Sequence, residues 1–595
     1  MRRALCLCFL PDRQAQFLTR PNGTSTTKSF EDIAVTDYAA APPVQEPESS
    51  ARPASASRLL TMVACASLLG VLAIYVLRLD RVVGLFVDDG WYVLLAKALA
   101  SGQGYALLNS PTPGILPLYP PAFPFLLSLV YRLSPNFPDN LWLLKSVSIA
   151  AMMGVGLLAY RYFARERGLG QGLALLLALA AVLSPPLVFL ATSTMMSECV
   201  FALIFLATVV LAEKCRQAGN SARGLQLAAC CGALAAVGFL TRSIALALIA
   251  AGFLYLLKER LVKSALVFGA VAVLLAAPWV MYTRLHTPTP EQQKEQGGHI
   301  VLPYTQQFWQ RRAGFNFSGS ITVADLPARV WNNAVEISGR DVGRIVLTPL
   351  FEALRDPYKE AQSERVKAGG SGDTWSISFL LSLVAVVGLL AAIRQRITMA
   401  ELAVPFSLGI TVLWPWETFR FVLPLIPFVI FYFLVGVKAL AALAQRKQTE
   451  ARVPQLAVAV IAGLVVAVNL YGNLTYLSKK LSDTPSERPQ WLQIFDDAEG
   501  MMIWVNRNVP KTDAIATANP PLVYLYTGNK TVAADDPAAN WDNWNRLGVR
   551  YLVRASVYPE PPDPSEQKFN LVYRARGFAN FRVIDLGPPN ARPTW

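Results

Sequence analysis

The fold is decided by stretches such as LLTMVACASLLGVLAIYVL, residues 59–77, which contains no charged side chain. An α-helix rises about 1.5 Å per residue, so about twenty apolar residues are enough to cross the ~30 Å hydrocarbon core of a bilayer. The run also lacks the alternation of apolar and polar residues that marks a half-buried strand. In lipid the backbone must satisfy its own hydrogen bonds, so the stretch predicts a membrane-spanning helix.

The same pattern recurs along the chain of 595 residues, of which 53% are hydrophobic and only 16% are charged. The sequence therefore predicts a polytopic α-helical membrane protein with about eleven transmembrane helices. The candidate spans are 59–77, 141–160, 172–190, 199–212, 225–240, 243–257, 264–282, 374–393, 399–415, 420–437 and 455–473. The net charge of +14 does not indicate nucleic-acid binding, because basic residues also collect in the cytoplasmic loops of such proteins.

The connections between these spans alternate in character, and this alternation predicts the orientation of the chain. The basic connections are 161–167, 214–223, 258–263, 394–396 and 438–452. The positive-inside rule places them in the cytoplasm, together with the N-terminus. The opposite side then carries a first outer loop at 78–140, a long outer loop at 283–373 and residues 476–595. We expect a multi-pass protein of the plasma (inner) membrane.

Two segments flank the predicted transmembrane domain, residues 59–475. Residues 1–58 are polar and rich in Ser, Thr, Pro and Ala, which predicts a disordered cytoplasmic tail. In residues 476–595, short apolar runs such as VRYLV at 549–553 alternate with turn signals, which predicts a small extracytoplasmic α/β domain. None of the seven cysteines lies after the last span, so this domain has no disulfide framework.

The stretch LFVDDGWYVLLAKALASGQGY, residues 85–105, places two adjacent acids in the first outer loop. Asp88 or Asp89 could cap the helix that the apolar spacing predicts from about Gly90, a common use of Asp. One of them could instead be a general base, or a metal ligand, that faces a lipid-linked substrate. The two roles are compatible, since one acid can cap while its neighbour points into a cavity. The apolar face of 90–99 suits a helix lying in the membrane interface.

Four further ionisable residues are predicted at the outer ends of spans: Lys145, Glu198, Arg242 and Arg420. Each alone could be an anchor at the membrane boundary. Together they indicate a site for a phosphate at headgroup level, which Arg can hold with two parallel hydrogen bonds. Pro424 and Pro427 follow Arg420, and we expect them to interrupt the helical ladder and kink that span.

These motifs resemble, in order, those of the C-type (GT-C) integral-membrane glycosyltransferases. The resemblance is to the bacterial branch that is similar to dolichyl-phosphate-mannose protein mannosyltransferases and to the aminoarabinose transferases of lipid A. It covers about residues 59–590. The stretches that carry it are DDGWY (88–92), YPPAFPFLL (119–127), SECVFALIFL (197–206), FLTRSIAL (239–246) and RFVLPLIPF (420–428).

The resemblance implies a GT-C fold and transfer of a sugar from a polyprenyl-phosphate donor to an acceptor hydroxyl on the outer face, with inversion. It makes Asp88 the counterpart of the catalytic Asp, and Asp89 takes the place usually held by Glu. The remaining candidate site residues are Arg420, Arg242 and Lys145 for the donor phosphate, and Glu198, Tyr92 and Tyr119 beside them. The family includes metal-dependent and metal-independent members, so a divalent metal is left open. The sugar is not specified, and the acceptor could be a glycan, a lipid or a protein.

Two alternatives to an enzyme remain. A polytopic transporter or lipid flippase would also have many spans and charges at membrane depth. Such proteins often carry an internal repeat and polar groups near mid-span, and neither is clear in this sequence. A non-catalytic assembly subunit would tolerate the loss of both acids.

Overall fold

The structure, a computed structural model, describes residues 54–81, 83–298, 303–311, 319–353, 372–444, 452–484, 487–534, 537–556, 564–577 and 581–587. Most of the predicted N-terminal tail, residues 1–53, lies outside these ranges. The helices before the long outer loop are α1 (Ala54–Arg78), α2 (Asp88–Ala100), α3 (Ala122–Leu133), α4 (Leu141–Arg161), α5 (Gln171–Val182), α6 (Pro185–Thr192), α7 (Glu198–Ala218), α8 (Ala222–Thr241), α9 (Leu246–Lys258) and α10 (Val262–His286).

The long outer loop contributes five short helices, and the later spans contribute five more. Those of the loop are α11 (Pro290–Glu295), α12 (Tyr304–Gln307), α13 (Leu326–Glu336), α14 (Val342–Val346) and α15 (Thr348–Ala353). Those that follow are α16 (Gly372–Gln395), α17 (Met399–Leu413), α18 (Phe419–Val422), α19 (Ile426–Ala444) and α20 (Arg452–Lys480).

Each predicted span coincides with helical structure in the described residues. Six of the described helices are long and apolar enough to cross a membrane, or seven if the pair α5 and α6, bent by 52°, is one span. The bend falls where Pro185 begins α6, because proline cannot continue the hydrogen-bond ladder of α5. The chain is thus a multi-pass membrane protein, as predicted, while the count of eleven stays a prediction.

Buried ion pairs hold one end of the helix bundle together. Glu213, near the end of α7, contacts Arg396 and accepts a hydrogen bond from the Tyr255 hydroxyl at 2.7 Å. Glu401 at the start of α17 pairs with Arg167 at 3.0 Å. A buried carboxylate is stable only with such partners. Both arginines belong to the basic connections predicted to face the cytoplasm, and the candidate site lies at the other end of α7.

The helix that follows the acid pair is more enclosed than the sequence indicates. In α2, residues 91–96 are all buried, and the helix packs along α3. The expectation of a helix lying in the membrane interface is therefore wrong for α2. Its aromatic and leucine side chains pack inside the protein, because α3 and the C-terminal domain cover the faces that lipid and water would otherwise contact.

The C-terminal domain is the predicted small α/β domain. Its helices are α21 (Gln490–Asn508), α22 (Pro520–Thr527) and α23 (Pro537–Arg546), and its strands are β1 (Ala514–Thr517), β2 (Thr531–Ala533), β3 (Val549–Ala555), β4 (Asn570–Arg574) and β5 (Phe581–Asp585). The strands form one sheet in the order β2-β1-β3-β5-β4, parallel from β2 to β3 and antiparallel from β3 to β4. Alternate residues of β1 and β3 enter two apolar clusters, one with α21 and one with α23, so both faces of the sheet are covered.

Candidate active site

Asp88 is presented by a strained turn at the start of α2. The Asp88 backbone N–H donates to the Phe86 carbonyl at 2.7 Å, which closes a γ-turn around Val87 at φ 64° and ψ −61°. Positive φ is rare for a β-branched residue and costs on the order of 1–3 kcal/mol, so it persists only where the surroundings enforce it. The turn makes Val87 the residue before the helix and Asp88 the first residue within it.

The neighbouring acid, Asp89, points into the protein. Its carboxylate is buried and accepts backbone N–H groups from Gly84 at 2.8 Å, Phe86 at 3.1 Å and Gly90 at 3.0 Å. Burial raises the pKa of Asp89 to about 6, although the bond from Gly84 acts in the opposite direction. The capping hypothesis was wrong in its geometry, because neither acid occupies the position before the helix. Asp89 instead closes the loop that precedes it.

Asp88 faces outward and contacts two of the other predicted site residues. Its Oδ2 pairs with Arg420 Nη1 at 2.9 Å, and its Oδ1 accepts a hydrogen bond from the Tyr119 hydroxyl at 2.8 Å. The side chains of Asp88 and Arg420 remain 29% and 36% exposed, so a ligand can reach both. Burial raises the pKa of Tyr119, and the adjacent Asp88 raises it further, so this hydroxyl stays a hydrogen-bond donor.

Behind this accessible pair lies a buried one. Glu198 Oε1 accepts from Arg420 Nε at 3.1 Å and pairs with Arg242 Nη1 at 2.9 Å, while the Glu198 side chain has no exposed surface. Glu198 is the first residue of α7, where the helix dipole favours a negative charge. Arg242 follows the last residue of α8. One carboxylate thus joins two guanidinium groups from separate spans, as the prediction of a common outer side requires.

Tyr92 joins the cluster through Ser197, which was not among the predicted site residues. Its hydroxyl lies 3.3 Å from Ser197 Oγ, and Ser197 Oγ also accepts a hydrogen bond from Arg242 at 3.2 Å. The Tyr92 ring meets the Tyr119 ring edge-on at 5.1 Å. The two tyrosines therefore form one wall beside Asp88.

Lys145 does not join this cluster through the contacts that its ammonium group makes. It is fully buried and donates to the backbone carbonyls of Asp80 at 2.6 Å and Thr192 at 2.9 Å. These bonds tie α4 to the end of the first span and to α6. The structure thus gathers Asp88, Tyr119, Arg420, Glu198, Arg242 and Tyr92, while Asp89 and Lys145 hold neighbouring backbone.

Two further features adjoin the site. A 3-10 turn at Leu423–Leu425 separates α18 from α19, which confirms the predicted interruption by Pro424 and Pro427 and holds Arg420 in its own short turn.

Tyr304, from the long outer loop, was not singled out by the sequence. Burial raises the pKa of Tyr304, while a side-chain hydrogen bond with Ser243 and the charge of Arg242 lower it and the charge of Asp88 raises it.

The residues present do not form a divalent-metal site in this arrangement. The Arg420 guanidinium contacts the carboxylates of both Asp88 and Glu198, so the positive charge beside these two acids is already supplied by a side chain. Within the described ranges, no group of three His, Cys, Asp or Glu side chains could hold a metal ion.

Comparison with solved structures identifies the fold. The chain is similar to ArnT from Cupriavidus metallidurans bound to undecaprenyl phosphate, with a TM-score of 0.52 and 13% identity over 89% of this chain and 98% of that chain. The apo state of the same ArnT gives 0.51 and 14% over the same shares. The archaeal oligosaccharyltransferase AglB from Archaeoglobus fulgidus, in complex with an inhibitory peptide and a dolichol-phosphate, gives 0.47 and 12% over 82% and 69%.

The two ArnT structures confirm the predicted GT-C fold. No protein-family model and no curated protein sequence matches the chain.

Proposed function

We propose that the chain is a glycosyltransferase that moves a sugar from a polyprenyl-phosphate donor to an acceptor hydroxyl at the outer face of the membrane. The observation that carries this proposal is the accessible pair of Asp88 and Arg420, 2.9 Å apart, at the mouth of a cluster whose other charges are buried. A base beside a cation is what such a transfer needs. The acceptor must lose a proton, and the departing phosphate must be stabilised as it gains charge.

The reaction is a single displacement. Asp88 takes the proton from the acceptor hydroxyl while that oxygen bonds to the anomeric carbon. The bond from the anomeric carbon to the phosphate oxygen breaks, and its electron pair leaves with the phosphate. One base suffices, because a phosphate leaves readily and needs positive charge more than a general acid. Attack opposite to the leaving group inverts the anomeric centre.

Arg420 is the group we assign to the donor phosphate, with Arg242 beside it. Without a donor, Arg420 is neutralised by Asp88 and Glu198. An arriving phosphate can replace Asp88 as the partner of the guanidinium, which also frees Asp88 to accept a proton. Arg242 stays paired with the buried Glu198 and thereby orients Arg420. Lys145 is assigned a structural role, because its ammonium group holds backbone carbonyls.

The donor class is supported by the membrane setting and by the fold. Arg420 is the second residue of Phe419–Leu443, a stretch long and apolar enough to span a membrane, and this supports a position for Arg420 at the level of the lipid headgroups. ArnT, which shares the fold, is described in complex with undecaprenyl phosphate. The basic connections at the other end of the bundle support an extracytoplasmic site in the inner membrane.

The test supplies purified wild type, Asp88→Asn and Asp496→Asn with a panel of radiolabelled polyprenyl-phosphate sugars and with membrane extracts as acceptors. Asp496 is an exposed acid of α21, paired with Arg488, and serves as the matched control. Removal of a general base costs about 10²–10⁴-fold in rate, so Asp88→Asn should lose at least about 100-fold and the control almost nothing.

Full transfer by Asp88→Asn would refute the assignment of the base. Flux of a lipid substrate without a new glycosidic bond would identify a transporter or flippase. If cells that depend on this protein grow normally without Asp88 and Asp89 but fail to grow without the C-terminal domain, the protein is an assembly subunit.

A further inference from the structure

The C-terminal domain reaches the loop that presents Asp88. Asn519, just before α22, is buried, and its Nδ2 donates to the Gly84 carbonyl at 2.7 Å. Its Oδ1 accepts the Leu522 N–H at 3.3 Å and so caps α22. One amide therefore fixes both the start of a helix in the C-terminal domain and the backbone five residues before Asp89.

The first turn of α22 fits into the same loop, where two glycines leave room for it. A Cβ on Gly84 would lie 2.9 Å from Leu522 Cδ1, and Gly84 has φ +103°. A Cβ on Gly90 would lie 3.0 Å from two side-chain atoms of Pro521. A Cβ at either position would crowd the first turn of α22, and the positive φ of Gly84 also favours glycine, so the close approach depends on these residues.

Two more contacts join the loop to the C-terminal domain. The Val83 N–H donates to the Tyr526 hydroxyl at 3.2 Å, and the Phe86 ring stacks on the Trp491 ring with centroids 4.6 Å apart. Both partners belong to helices of that domain, α22 and α21. The C-terminal domain therefore contacts the loop at Val83, at Gly84 and at Phe86, the first residue of the γ-turn.

We infer that Asn519 is a positioning residue for Asp88: the C-terminal domain holds the loop at Gly84, and thereby keeps the strained turn that aims the Asp88 carboxylate at Arg420. This inference rests on the proposed function. Gly84 is the link, because its N–H binds Asp89 and its carbonyl binds Asn519. If the carbonyl is released, the turn at Val87 can relax toward negative φ, and the carboxylate of Asp88 moves away from its partners.

The test compares Asn519→Ser with Asn529→Ser. Serine keeps the capping oxygen of residue 519 but cannot reach Gly84. Asn529 is an equally buried amide of the same domain whose Nδ2 donates to the Pro510 and Asp513 carbonyls, away from the loop. A displacement of about 1 Å in a reacting group can lower the rate about 100-fold. We therefore expect Asn519→Ser to lower kcat at least about tenfold with the donor KM changed less than about twofold, and Asn529→Ser to leave both unchanged.

Amide hydrogen exchange measures how firmly the loop is held, and it needs no substrate. In Asn519→Ser the amides of residues 84–88 should exchange faster than in the wild type and in Asn529→Ser. Unchanged exchange in these amides, or a wild-type kcat in Asn519→Ser, would overturn the inference. Absence of transfer by the wild type would count against the proposed function instead, and the exchange arm would still decide whether Asn519 holds the loop.

Discussion

Replacing Glu198 by Gln tests whether the buried ion pair orients the arginine that we assign to the donor. Gln has the shape of Glu without its charge, so the substitution leaves Arg242 and Arg420 without their shared buried partner. Breaking a buried pair by removing one side destabilises a protein by about 3–5 kcal/mol. Arg420 keeps Asp88, and its side chain is 36% exposed, so solvent screens part of the loss. We therefore expect Glu198→Gln to lower the free energy of unfolding by about 3 kcal/mol, near the lower end of that range.

The loss of transfer activity in Glu198→Gln should be larger than the loss of folded protein can explain. Without Glu198, Arg420 has only Asp88 as an ionic partner within the described cluster, so the pair must be broken at greater cost when a phosphate arrives. The donor KM should rise at least about tenfold, and kcat should fall because Asp88 stays neutralised.

Glu213→Gln is the matched control for this substitution. Glu213 is a buried acid of the same helix, α7, and it pairs with Arg396 and with Arg216 at the opposite end. Its loss should lower the melting temperature in detergent by a similar amount while transfer per folded molecule stays within about twofold. Initial rates at varied donor concentration, normalised to folded protein, distinguish the two variants. The same kinetic parameters in both would refute the orienting role of Glu198.

Two more substitutions, at Arg420 and at Asp89, test the cluster and the loop beside it. Arg420→Lys keeps the charge but replaces a planar fork, whose Nη1 faces Asp88 and whose Nε faces Glu198, by a single ammonium. Transfer should fall about 100-fold, and a variant as active as the wild type would contradict the two-sided role. Burial raises the pKa of Asp89 to about 6, above the ~3.9 of an unfolded chain. The folded form thus binds the proton more tightly, and this contribution to stability is present below about pH 4 and lost as the pH rises through 6, at most about 3 kcal/mol. The melting temperature of the wild type should therefore fall between about pH 4 and pH 7 by more than that of Asp89→Asn, and parallel curves would contradict the assignment.

Much of the fold could be predicted because it depends on local properties. An apolar run is long enough to cross a bilayer or it is not, and the alternation of basic connections repeats five times along the chain. The α/β character of the C-terminal domain also follows from short apolar runs between turns. The enclosure of α2 could not be predicted in the same way, since an amphipathic segment buries its apolar face equally well against lipid or against protein.

The sequence by itself determined that charged residues of both signs stand at the ends of several spans, and that Pro424 and Pro427 interrupt the span of Arg420. Only the tertiary structure decided which of two adjacent acids faces the arginine. Asp88 and Asp89 have the same charge and neighbouring positions, but the γ-turn at Val87 sends one outward and three backbone N–H groups hold the other. That turn depends on Asn519, 435 residues beyond Gly84, and no local pattern encodes a contact across such a distance.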